Sequence, residues 1–328
     1  MSHNRYEALK RRLPFEVVPT NLEGAFTSPA WTDDFDLETA TPAELIKHGV
    51  FWRRPKSEDD PRLIEAWQEA VRLSRKLRER FVPVLEPQIG RTHLRGPIRR
   101  ADDGTYTGGA WSGGALPGNW SGVIGQWQIP TVTQPPEPAG INGGWTSSSW
   151  VGIDGAYSSN DVLQAGVQQQ VDAYGNASYV AWYEWFTPPT AGSPGYIWQT
   201  NIPNFPVSPG DTVFCSVQYL GSSAGYLYFY NSTSGVSPFS ITLAPPPGAT
   251  FDGESAEWIM ECNDYGEYGG ESLPAFTPIN FTGCIACSQT TPSSTPLNGD
   301  TFIILTPQGQ PLTDTVLGDG TVEITFIG

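Results

Sequence analysis

Lysine, arginine and histidine are absent from residue 101 to residue 328 of this 328-residue chain. All 18 Lys+Arg lie in the first hundred residues, ending at Arg99 and Arg100, and so do the three histidines, His3, His48 and His93. With 15 carboxylates before residue 101 and 19 after it, the two parts carry formal charges of +3 and −19. The absence excludes a His base, a Lys nucleophile or an Arg clamp supplied by the larger part. Carboxylates, carboxamides, hydroxyls, thiols and backbone N–H groups remain. A surface of that charge also argues against a nucleic-acid partner, whose phosphates need cations.

Other scarcities narrow the reading further. No hydrophobic run approaches the ~18 residues of a membrane span, so no membrane partner is expected. The opening MSHNRYEALKRRLPFEVVP contains no apolar segment of the kind a secretory signal requires. Only four cysteines are present, Cys215, Cys262, Cys284 and Cys287. Cys284-Ile-Ala-Cys287 is a C-x-x-C, but no basic neighbour lowers a thiol pKa and no histidine completes a metal site. One or two structural disulfides are expected, with no cofactor and no metal.

What is abundant points to strands and turns. The 36 Gly and 30 Pro accompany 12% aromatic residues, a mixture that suits short strands joined by turns better than disorder. Strand patterns recur at Val123–Ile129, Tyr179–Phe186, Thr212–Tyr219, Tyr226–Tyr230, Ala256–Glu261, Thr301–Leu305 and Thr321–Ile327. They predict an all-β fold, an antiparallel β-sandwich. In Tyr179–Phe186, alternation puts Val180, Trp182, Glu184 and Phe186 on one face, where a carboxylate must be paired or line a cleft.

The first hundred residues differ. Thr41-Pro42-Ala43-Glu44 is a capping box with Pro at the first helical position, and a longer helix is expected over residues 61–80. Leu63, Trp67, Ala70, Val71, Ser74 and Leu77 would share one stripe, and Arg72, Arg75, Lys76, Arg78 and Arg80 the other face. The expected organisation is a basic, partly helical segment over 1–100, a Gly-rich linker over 101–118 and an acidic sandwich over 119–328. Because only carboxylates titrate beyond residue 100, that part approaches neutrality as pH falls to about 4. A Lys- and Arg-rich domain would instead become strongly cationic. An acidic working environment is expected.

Five segments carry the chemistry: Asn119-Trp120-Ser121-Gly122, Trp150-Val-Gly-Ile-Asp154-Gly155, Leu163-Gln164-Ala165-Gly166, Ala181-Trp182-Tyr-Glu184-Trp185 and Ala256-Glu257-Trp-Ile-Met-Glu261. In this order they closely resemble the eqolisins, the glutamic peptidases, over about residues 118–328. The resemblance implies a lectin- or glucanase-like sandwich that hydrolyses protein or peptide substrates. It implies catalysis by Gln164 and Glu261, with Trp150, Asp154, Trp182 and Glu184 supporting the site or contacting substrate. The chain departs from the family at Val180, where an acidic residue is common, at Phe186-Thr187 in place of Tyr-Pro, and at Cys262, also in place of an acidic residue. The first hundred residues resemble a basic propeptide and are expected to act as an intramolecular inhibitor, with Arg99-Arg100 as a processing point. The alternative is a carbohydrate-active or carbohydrate-binding sandwich using Glu184 with Glu257 or Glu261.

Overall fold

A computed structural model describes the chain apart from residues 1–6, 8, 12, 14, 30, 33, 49–53, 60, 75–80, 94, 108, 142, 160, 189–196, 264–271 and 289–293. Two large sheets, of nine and ten strands, lie face to face, and all but one of their pairings are antiparallel. The core between them is built from alternate residues of each strand, as a period of two demands. Val151, Ala165, Tyr183, Trp185 and Trp258 of the ten-stranded sheet meet Trp127, Val213, Leu227 and Phe281 of the other, all nearly inaccessible. The expected strands are present, for example Ala177–Phe186 and Ser255–Cys262, except that Thr301–Leu305 is shortened to Asp300–Phe302.

The ten-stranded sheet holds the site. Across its middle run Ile197–Asn201, Ala177–Phe186, Val162–Val171, Trp145–Ile153, Ser255–Cys262 and Trp111–Pro117, in that spatial order. The last of these lies inside the stretch expected as a linker. Residues 101–118 in fact include Tyr106–Thr107 and the nearly buried strand Trp111–Pro117, paired to both Ser255–Cys262 and Asp300–Phe302. Its glycines are a packing requirement as well as a flexibility signal. A Cβ on Gly113, at φ +142°, would lie 2.1 Å from the Trp258 carbonyl oxygen.

The N-terminal hundred residues are knitted into both sheets. Ala25–Thr27 pairs with Phe239–Leu243 at the edge of the nine-stranded sheet. Glu86–Pro87 forms one edge of the ten-stranded sheet and Arg99–Arg100 the other. The Thr41 capping box is present, with Glu44 Oε2 accepting from the Thr41 N–H at 2.7 Å. The longer helix runs over Pro61–Ser74, and the expected Arg75, Lys76, Leu77, Arg78 and Arg80 lie outside the described residues. Leu63 packs on Ile124 and Ile285 of the nine-stranded sheet, while Trp67 and Val71 pack on Leu37 and Leu45.

The disulfide expectation fails for two of the four cysteines. Cys215 and Cys284 are fully buried free thiols, and burial pushes both pKa values up. The C-x-x-C does not close because Cys284 faces the sandwich core and Cys287 packs on the opposite side of the sheet, beside Leu63. An odd spacing on a strand separates the two side chains.

Candidate active site

The outward face of the ten-stranded sheet is lined by the residues that alternate with its core set. Strand pairing sets Glu184, Gln164, Gly152 and Glu257 opposite one another in one row. Trp182, Gly166, Trp150 and Ile259 form the next, and Gln168, Ser148 and Glu261 the one after. Four of the five motifs are therefore neighbouring strands of this sheet, while Asn119-Trp120-Ser121-Gly122 leads into Gly122–Gln128 of the other. Gly166 leaves the room Trp150 needs, since a Cβ there would come within 2.6 Å of the Trp150 Cβ.

Gln164, Glu184, Glu257 and Glu261 are each completely inaccessible. Gln164 Nε2 donates to Glu184 Oε2 at 3.2 Å, and Trp150 Nε1 donates to Glu261 Oε2 at 2.8 Å. Oε1 of Gln164, of Glu184 and of Glu261 has no hydrogen-bond partner among the described residues. Burial raises the Glu184 pKa well above its ordinary value, with the charge of Glu261 adding to the shift and the His93 backbone N–H opposing it. The shift favours the protonated form of Glu184 and so opposes a second negative charge beside Glu261.

Asp154 lies elsewhere. At the end of the Trp150 strand, with φ +72°, its carboxylate accepts from Gly253 N, Glu254 N and Tyr219 Oη at 2.7–2.9 Å. It ties the end of this sheet to the strand Thr212–Leu220 of the other, and none of these partners is Gln164, Glu184 or Glu261. Burial outweighs the three donors and raises its pKa from 3.8 to about 6.

These buried acids make a prediction about stability. Asp154, Glu184 and Glu257 all bind protons more tightly in the folded than in the unfolded chain. Their stabilisation is complete below the unfolded carboxyl pKa near 4 and is lost as pH rises; for Asp154 the window is 3.8 to about 6. Asp154 alone accounts for about 3 kcal/mol. Exposed carboxylates held low by local hydrogen bonds, such as Glu44 and Asp172, act in the opposite sense but are solvated. The urea midpoint is expected to be higher at pH 4 than at pH 7, with a smaller difference in Asp154→Asn. A midpoint that rises toward pH 7 would contradict this account.

One residue at the site has no counterpart in the sequence reading. His93, from the basic segment, is buried there. Its Nδ1 lies 2.8 Å from Glu261 Oε2, its Nε2 lies 3.1 Å from Gln199 Oε1, and its backbone N–H donates to Glu184 Oε2 at 2.8 Å. Its ring stacks on Trp182 with centroids 3.9 Å apart and planes 4° from parallel. The sole sequence signal was its rarity, one histidine among three in the whole chain.

Comparison with known proteins agrees with the motifs. The chain is 28% identical over 232 residues to aspergillopepsin-2 of Aspergillus niger, covering 66% of this chain and 77% of that protein. It is 28% identical over 220 residues to scytalidopepsin B of Scytalidium lignicola, covering 64% and 78%. The crystal structure of scytalido-glutamic peptidase with a transition state analog inhibitor has the same fold, at a TM-score of 0.54 and 22% identity, covering 66% of this chain and 98% of that one. A second structure of that peptidase, with a peptide-based analog, gives 0.53 and 23% over the same shares. The model of the Peptidase A4 family matches residues 107–326. The chain belongs to that family, the eqolisins, and is a glutamic peptidase that hydrolyses peptide bonds.

Proposed function

We propose that the protein is an acid-acting endopeptidase made as a precursor, in which Gln164 and Glu261 activate water. Peptide hydrolysis needs a base for the water, a donor for the developing oxyanion and an acid for the leaving amine. One carboxylate can serve first as base and then as acid, and a carboxamide N–H can be the donor. Glu261 takes the proton from a water held beside it, and the hydroxide attacks the scissile carbonyl. The Gln164 amide stabilises the oxyanion, and Glu261 returns the proton to the departing nitrogen. Trp150 orients Glu261 through its indole N–H, and the neutral Glu184 orients Gln164. Trp182 offers a flat wall to substrate.

The observation that carries this reading is the shared placement of Gln164 and Glu261. Both lie on one face of one sheet, fully buried, each with an oxygen that bonds no described residue. The N-terminal segment covers that face, which supports an intramolecular inhibitor. Removal of the segment in acid, outside the cell, would open it. Arg99 and Arg100 are exposed, as a processing point requires.

Acidifying the purified full chain is expected to create a new N-terminus between about residues 90 and 120 and to release digestion of an unfolded protein substrate within pH 2–7. N-terminal sequencing and a digestion assay check both. An intact chain at every pH would leave residues 1–100 as a permanent part of the fold.

A further inference from the structure

We propose that His93 is the chain's own dead-end ligand, its imidazole filling the place beside Glu261 that the attacking water must occupy. This rests on the peptidase reading above and adds the agent of silencing: one side chain, rather than general attraction between a basic segment and an acidic domain.

Topology supplies the strap. Glu86–Pro87 and Arg99–Arg100 are the two outermost strands of the ten-stranded sheet, so residues 88–98 must cross its open face. Both ends of this strap are held by strand pairing, and it sets off from the first edge with a turn in which Arg91 N donates to Gln88 O at 2.9 Å. Gln88 N donates to Gln199 O at 2.8 Å and Gln199 N to Arg91 O at 3.0 Å, which leads the chain from the edge onto the face. Beyond His93, Ala110 N donates to Arg95 O at 2.7 Å.

The polar partners of His93 assign its protons. Gln199 Nε2 is committed as a donor to Gln168 Oε1 and Asn201 Oδ1, so Gln199 Oε1 faces the ring and His93 Nε2 is the donor to it. Nδ1 and Glu261 Oε2 then share one proton across 2.8 Å. Whichever atom carries it, Glu261 Oε2 has the Trp150 indole and the imidazole against it, and the ring stands where a water would have to approach that oxygen. Glu184 Oε2 takes the His93 backbone N–H as well as the Gln164 amide, so one residue of the strap touches Glu261 directly and Gln164 through their common acceptor. The Trp182 face completes a slot for a flat ring.

Among the described residues, charge pairing is a weaker explanation. Arg95, next to the slot, gives its guanidinium to the carbonyls of Gly155 and Tyr157. Arg100 is 3.7 Å from Asp300 and Arg62 is 2.8 Å from Asp319, each pair with one largely exposed member. Such pairs contribute little.

The test compares the uncut full chain with its His93→Ala variant on an unfolded protein substrate, measuring initial rates while gels show each chain intact. The variant is expected to hydrolyse at least about tenfold faster, given the worth of a hydrogen bond to a charged group. After acid processing the two should be equal. An uncut variant as slow as the uncut wild type, with both becoming active once processed, would overturn the role of His93 and leave the peptidase reading standing. No hydrolysis by either form at any pH would overturn both. A second readout does not depend on the His93→Ala variant folding: the ring 15N resonances of the three histidines in the intact chain. Glu261→Gln should shift the His93 signals and leave those of His3 and His48 in place; unchanged His93 signals would sink the proposal.

Discussion

Replacing Glu261 with glutamine is expected to lower kcat/KM for peptide hydrolysis at least about a thousandfold while leaving the fold intact. The substitution keeps the shape of the side chain, and its amide oxygen can still accept from Trp150 Nε1, which now bonds Glu261 Oε2 at 2.8 Å. What disappears is the capacity to take a proton from water and return it to the leaving nitrogen. Self-processing in acid should stop for the same reason. Glu257 is the informative control because it lies four residues away on the same strand face and is equally buried. Glu257→Gln should retain most of the activity. If Glu257→Gln is inactive and Glu261→Gln digests protein normally, the base has been misassigned.

Gln164→Ala is the second large effect, expected to reduce kcat about 10²–10³-fold with KM changed far less. An oxyanion donor acts mainly in the transition state, so its loss appears in kcat rather than in binding. Gln164 is fully buried in the row with Glu184, and its amide N–H is aimed at Glu184 Oε2. The same variant discriminates against a sugar-cleaving site, since a glycosidase carboxylate pair assigns no role to this amide. Cleavage of a polysaccharide that survives Gln164→Ala would favour that reading. Loss of protein cleavage with an unchanged urea midpoint would favour the amide as donor.

Much of this was legible because strands are read with a period of two. The alternation in Ala177–Phe186 separated Glu184 and Trp182 from Tyr183 and Trp185, and the sheet places the first pair on the open face and the second in the core. The five motifs located the family, and the comparisons agree. The direction of the Asp154 side chain was not legible in the sequence. A turn residue with positive φ leaves the strand alternation, so its direction follows from what the loop meets, here Gly253, Glu254 and Tyr219. Residues 111–117 looked like linker because their glycines carry no pattern; the close approach of Trp258 to Gly113 and of Leu317 to Gly114 explains them.

The run without basic residues from Ala101 onward determined, by composition alone, which chemistry the larger part could perform: carboxylate and carboxamide, with no imidazole of its own. Tertiary structure decided that an imidazole is nonetheless present, because edge pairing at both sides of one sheet draws residues 88–98 across the open face and sets His93 against Glu261. Composition and local pattern are properties of neighbours along the chain. A contact between residues 168 positions apart depends on strand order and register, which no local segment encodes.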